Sequence, residues 1–159
     1  MKLFKRKSAA TANCLLLYAT ARGNARSVAE LAEQYYKKQG IRPKCRSIGK
    51  ASVADLAEVK QLLVVISTDG NGTPPPMAHN FFEELEDDEA PKLSHLTYAI
   101  CALGDSSYTW FCEAGKRLDK RLQALNAKAI VSRVDCDADY SDRAIGWIKE
   151  TAGHLKVVR

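Results

Sequence analysis

Long apolar runs are missing from this sequence; none approaches the roughly 20 consecutive residues that a membrane-crossing helix needs. Histidine is scarce. The three present (79, 95, 154) share no ligand spacing with the five cysteines (14, 45, 101, 112, 136), which argues against a zinc site. The cysteines are odd in number and include no CxxC pair, so no disulfide framework is expected. Four lie in or beside apolar strand-like runs and read as reduced, buried thiols of a cytosolic protein. Neither GxGxxG nor GxxxxGK followed by Ser or Thr occurs, which excludes the dinucleotide fingerprint and the Walker loop. Internal repeats and low-complexity blocks are absent as well. A basic face for nucleic acid is also lacking. Of the net charge of +5, four cations (Lys2, Lys5, Arg6, Lys7) sit in the first eight residues, and EELEDDE (83–89) would repel phosphate. No nucleic-acid partner is expected.

What is present suits one domain with one sizeable core: 159 residues, 46% of them hydrophobic. Residues 1–13, MKLFKRKSAATAN, read as a basic N-terminal tail without an apolar stretch of signal-peptide length. From residue 14 strands and helices alternate. CLLLYA (14–19) predicts a buried strand; apolar residues at 25, 28, 29, 32, 35 and 36 predict a helix that Gly40 ends. IRPKCRSI (41–48) predicts a weaker strand near an edge, because Pro43 cannot donate to a ladder. A short helix capped by Ser52 follows over 52–59, then the strand QLLVVIS (61–67), a loop and a helix over 76–87. LTYAICAL (96–103) is the fourth strand. Phe111, Ala114, Leu118, Leu122 and Leu125 line one helical face. KAIVSRV (128–134) is the fifth strand, and Ser141 or Asp142 opens a last helix whose inner face is Ile145, Ile148, Ala152 and Leu155. Five strands, each followed by a helix, predict an α/β domain over 14–159: a doubly wound three-layer sandwich around a parallel sheet.

In such sheets ligands bind beyond the carboxyl ends of the strands, so the turns there carry the chemistry. After strand one stand Thr20, Ala21, Arg22, Gly23, Asn24 and Ala25. The turn can hold a phosphate group on backbone amides at a helix start, or it can be a tight connection with Asn24 as cap. After strand three stand Ser67, Thr68, Asp69, Gly70, Asn71, Gly72 and Thr73, then three prolines: a loop able to reorient a peptide, or a plain surface loop. After strand four come Leu103, Gly104, Asp105, Ser106, Ser107, Tyr108, Thr109, Trp110, Phe111 and Cys112. Phe111 fits the buried helical face; Tyr108 and Trp110 do not, which leaves them for a flat ligand. Asp135 to Tyr140 form an acidic edge after strand five that reads as solvated loop and helix cap. The three turns fall on one rim.

Four stretches, YATARGNARSVAELAE, VVISTDGNGTPPPMA, LGDSSYTWFCEAGKRLDKRL and RVDCDADY, together resemble the FMN-binding flavodoxin-like domain of the diflavin reductases. The resemblance runs from about residue 14 to the end. It is nearest to the flavoprotein alpha-component of sulfite reductase, with the flavin domain of cytochrome P450 reductase more distant. It implies a five-stranded sheet of order 2-1-3-4-5 of the short-chain type, since no insertion interrupts strand five. It also implies one non-covalent FMN and single-electron transfer. Carried over, the phosphate loop is Thr20, Ala21, Arg22, Gly23, Asn24 and Ala25. Ser67, Thr68, Asp69 and Gly70 border the pyrimidine and N5 side, where the Gly70 peptide can turn its carbonyl toward N5. The third segment contributes Leu103, Gly104, Asp105, Tyr108, Phe111 and Cys112, with Tyr108 stacking on the ring.

Two positions depart from the family pattern. Arg22 replaces a usual threonine, and Asp69 stands where P450-reductase-like relatives have an aromatic. One flavin face is therefore expected to carry less aromatic cover, and a carboxylate there disfavours electron uptake.

The function expected is an electron carrier, standing alone or as a domain of a longer reductase. Its donor would be an FAD/NADPH reductase module and its acceptor a haem or iron–sulfur protein, docked by acids at 83–89 and 135–142. The tail KLFKRKS can be a soluble terminus or the remnant of a membrane tether in a missing N-terminal region. The alternatives are a flavin-dependent quinone or NAD(P)H reductase and a flavin-free interaction module. A receiver-type signalling switch is discounted, because Ala19-Thr20, Ser67-Thr68 and Arg133-Val134 stand where its acids and lysine belong.

Overall fold

The computed structural model describes residues 14–155; the basic tail over 1–13 lies outside the described residues. Strand β1 (Cys14–Ala19) lies near the middle of a parallel sheet, which is why almost all of CLLLYA is buried. Its neighbours are β2 (Lys44–Ser47) and β3 (Gln61–Ser67), with Leu16 opposite both Cys45 and Leu63. β4 (Thr97–Leu103) pairs with β3 in register Val64 to Ile100. The order is β2-β1-β3-β4-β5, as the resemblance implies. β2 is the short edge strand, and Pro43 falls just before it.

The fifth strand departs from expectation. The continuous strand over 128–134 is two pieces, β5 (Lys128–Ala129) and β6 (Val134–Cys136), both paired to β4. Thr97 faces Lys128 but Cys101 faces Val134, so the pairing offset grows from 31 to 33 residues across the break. Two extra residues are looped out. Arg133 pins the break, reaching Asp119 at 2.6 Å and Asp135 at 2.7 Å.

Side-chain alternation along the strands feeds two cores. Leu15, Leu17, Leu62, Val64 and Ile66 meet α2 (His79–Leu85) and α3 (Glu113–Ala124) through Phe81, Phe82, Leu118 and Leu122. Leu16, Leu63, Val65, Ala99 and Cys101 meet α1 (Asn24–Lys38) and α4 (Ser141–His154). The segment expected as a helix over 52–59 is a 3-10 helix, Val53–Glu58, opened by a capping box between Ser52 and Asp55. The helix expected over 76–87 begins as a 3-10 turn, Pro76–Ala78, before α2.

α4 is rotated from the apolar stripe read off the sequence. Its buried residues are Ala144, Trp147, Ile148 and Thr151, whereas Ile145 is 39% exposed and Ala152 half-buried. A search for purely apolar spacing passes over Thr151, yet its hydroxyl is satisfied by the Trp147 carbonyl at 2.8 Å and the Tyr36 hydroxyl at 2.6 Å. Trp147 is buried with its indole N–H unpaired among the described residues. Burying ~200 Å² of indole at ~25 cal/mol/Å² yields ~5 kcal/mol. That exceeds the ~1–3 kcal/mol cost of a buried unpaired donor.

All five cysteines are free thiols, four of them buried and Cys45 half-buried. Burial pushes Cys14 and Cys112 up to about 12 and Cys45 up to about 11. Among the described residues no helix is long and apolar enough to cross a membrane. Nor does any group of three or more His, Cys, Asp or Glu gather to hold a metal.

Candidate functional site

β1 stands between β2 on one side and β3 on the other, so the connections after β1 and after β3 wind in opposite directions, and the turns at this reversal open a cleft. The first turn is shaped by Gly23, which caps α1 at φ 100, a left-handed conformation that costs a side-chain-bearing residue about 1–2 kcal/mol. Its amide donates to Thr20 Oγ1 at 2.7 Å, folding the turn onto its first residue. The Thr20 amide in turn donates to Met77 Sδ at 3.5 Å, which also accepts from the Ser47 hydroxyl. Met77, which the sequence did not single out, thus supports the turn from below. The amides of Ala21, Arg22, Asn24, Ala25 and Arg26 find no acceptor among the described residues. Four amides at a helix start lack internal partners by geometry, and here they stand beside a left-handed turn with the positive end of the helix dipole. Asn24 does not cap the helix; its Oδ1 accepts instead from the Tyr140 hydroxyl at 3.4 Å.

The loop after β3 folds on itself: the Asp69 amide donates to the Thr73 carbonyl and the Gly72 amide to the Asp69 carbonyl, both at 2.9 Å. Thr68 Oγ1 accepts from the Ala114 amide at 3.0 Å and so caps the start of α3. Asp69 and Gly70 lie at the cleft.

The turn after β4 is the most heavily bonded. A Cβ on Gly104 would lie 2.9 Å from the Cys112 nitrogen and 3.2 Å from Phe111 Cδ1, so only glycine fits. Its amide donates to the Cys136 carbonyl at 2.9 Å. Asp105 accepts from the hydroxyl and amide of Ser107; Asp137 accepts from the hydroxyl and amide of Ser106 and from the Ala138 amide. These bonds, the serine hydroxyls first, hold both carboxyls below their ordinary value of 3.8.

The resulting cleft, about 280 Å³, is lined by Ala21, Arg22 and Asn24 from the first turn. Ser67 to Gly70, then Leu103, Gly104, Asp105 and Tyr108, and finally Ala138 and Tyr140 complete it. Five expected residues do not line it. Thr20 and Gly23 shape the first turn, while Ala25, in the first turn of α1, is buried against the sheet. Phe111 packs half-buried on the core, and Cys112 is buried at φ 54 with its thiol toward the Ala102 and Cys136 carbonyls, each at 3.6 Å. Trp110 also stays outside, half exposed. Ala138 and Tyr140, which the sequence places in a solvated loop and helix cap, line the cleft instead. The available signal was their place after strand five, on the same rim.

The cleft can take an anion on unpartnered amides at one end and a flat ring between its other two walls, with Tyr108 as aromatic surface. A second groove of about 590 Å³, lined by residues such as Thr73, His79, Glu83 and Phe82, draws nothing from the first or third turn. Its Glu86 is committed to Arg117 at 2.6 Å.

The family described as Flavodoxin matches residues 16–147. The chain is 42% identical over 134 residues to the sulfite reductase (NADPH) flavoprotein alpha-component of Bacillus subtilis, covering 84% of this chain and 22% of that protein. It is 40% identical over 141 residues to the protein of that name from Vibrio parahaemolyticus, covering 89% and 23%. The chain thus spans under a quarter of the length of these curated relatives. Among solved structures, a cysteine mutant of flavodoxin from Pseudomonas aeruginosa superposes with TM-score 0.78 at 25% identity, over 90% of this chain and 98% of that one. A Streptococcus flavodoxin gives 0.80 at 22% identity, over 91% and 97%, a likeness of fold.

Proposed function

The chain belongs to the flavodoxin family, and from that premise we propose that it relays single electrons from an FAD/NADPH reductase module to a haem or iron–sulfur acceptor. Its cofactor is FMN, as in that family. The relatives named as sulfite reductase flavoproteins support a reductase as donor. Five free thiols accord with a reducing compartment, and we place the protein in the cytoplasm.

The cleft fits FMN. The observation that carries this is the set of five unpartnered amides over Ala21–Arg26, a site for a monoester dianion that needs few cations. Bound FMN supplies one-electron redox chemistry. The chain's own groups bind and orient it. The first-turn amides would hold the phosphate, with Arg22 at the edge. Tyr108 would cover one ring face, and Ser67 to Gly70 with Leu103 to Asp105 would border the ring and exclude water from it. Asp69 places a carboxylate in that wall. An Asp69→Asn variant is expected to raise the potential for full reduction by about 60 mV, a tenfold change in a one-electron equilibrium. Spectroelectrochemistry showing no shift or a fall would remove Asp69 from this role.

The primary test is the visible spectrum of the purified protein. Flavin bands, with FMN released on denaturation, are expected; a well-folded sample that neither retains nor takes up FMN at micromolar concentration would overturn the reading. Electron delivery from NADPH should require an added reductase. Rapid NADPH turnover by the domain alone would favour the quinone-reductase alternative.

A further inference from the structure

The two glycines of the loop after β3 stand in opposite surroundings. A Cβ on Gly70 would meet nothing within 4 Å. On Gly72, at φ 87, it would lie 2.8 Å from Cγ and 2.9 Å from Cβ of Trp110. The indole therefore sits directly on the Gly72 backbone, although Trp110 is 50% exposed and takes no part in lining the cleft. The same segment holds the other end of the loop, where the Ala114 amide donates to Thr68 Oγ1. Between these two anchors lies the bend over Asp69–Asn71, tied only to its own loop by the Asp69–Thr73 and Gly72–Asp69 backbone bonds, and Asp69 and Gly70 are the residues that border the cleft.

We propose that Trp110 is a positioning residue: packed on Gly72, it clamps the far end of this loop and so fixes where the Asp69–Gly70 peptide stands beside the flavin. The clamp has physical weight because an aromatic face on a glycine backbone approaches closer than any side chain would allow, and its dispersion contacts are lost together if the ring is removed. It also links two walls. Tyr108 faces the cleft and Trp110 grips the loop from one short turn, so the loop and the aromatic wall are held in a single arrangement. Gly70 stays unhindered in a loop whose base does not move. The proposal rests on the FMN reading for its effect on the cofactor, but not for the clamp itself.

The test compares Trp110→Ala, Trp110→Phe and Gly72→Ala with the parent protein. In cofactor-free protein, amide exchange at 69–72 is expected to quicken about tenfold in Trp110→Ala, with the amides of α1 unchanged, and Trp110→Phe should restore most of the protection. In FMN-loaded protein, Trp110→Ala should weaken FMN binding about tenfold, the equivalent of ~1.4 kcal/mol, and shift the flavin midpoint potential. Gly72→Ala should reproduce both effects, because its Cβ displaces the indole. Unchanged exchange at 69–72 overturns the clamp. So does unchanged affinity and potential with a loss only in electron delivery, which would make Trp110 a docking residue. If the parent protein binds no FMN, the proposed function fails while the exchange measurement still decides the clamp.

Discussion

The first and third turns of the cleft are built by opposite means. Thr20–Ala25 presents unpartnered backbone amides, and one internal bond, Gly23 to Thr20, shapes it. Leu103–Cys112 leaves little to spare: Gly104 is crowded by Cys112 and Phe111, and Asp105 and Asp137 are occupied by Ser107 and Ser106. A turn that binds must keep its donors free; a turn that positions must use its donors up. This contrast also explains why the first turn manages with one exposed cation, Arg22, whereas the third needs a carboxylate from after β6.

The contrast is broken most severely at Gly104. Gly104→Val should cost about 3 kcal/mol of stability through overpacking against backbone, read as a fall in the urea midpoint at constant slope. A cost under ~0.5 kcal/mol would show that the third turn yields as easily as the first. Acid should loosen the third turn more gently. Because the Asp137 carboxyl is held below 3.8 when folded, its bonds to Ser106 are complete above that value and lost as pH falls through the lowered folded one. The Ser106 amide resonance of cofactor-free protein should therefore titrate below 3.8, and a midpoint above 3.8 would contradict the bonding described. The smallest effect belongs to Arg22. Arg22→Ala should weaken FMN binding by no more than about fivefold, and less at high salt, if the amides carry the anion as proposed. A hundredfold loss would mean that the first turn binds by charge after all.

Several of these features were legible in the residues. CLLLYA, QLLVVIS and LTYAICAL are apolar on both sides because both faces of each strand are covered, and parallel pairing followed from that. The three turns followed from strand ends alone. The break in strand five was not legible, since KAIVSRV is a good strand by composition and its two looped-out residues depend on Arg133 finding Asp119. The face of α4 is not written in its apolar spacing, because Thr151 becomes apolar in effect only when Tyr36 satisfies it across 115 residues. Trp110 looked like ligand surface for the same reason: what lies under a side chain is not written beside it.

The layers and the turns that meet at the carboxyl edge can be read from the residues, because periodicity and glycine placement are local properties, and the strand order follows from the family likeness. Long-range packing alone brings Ala138 and Tyr140 into the cleft, sets Met77 and Asp137 to brace its turns, and lays Trp110 on a loop. Those outcomes depend on contacts between segments distant in the chain, where proximity is set by packing and not by spacing.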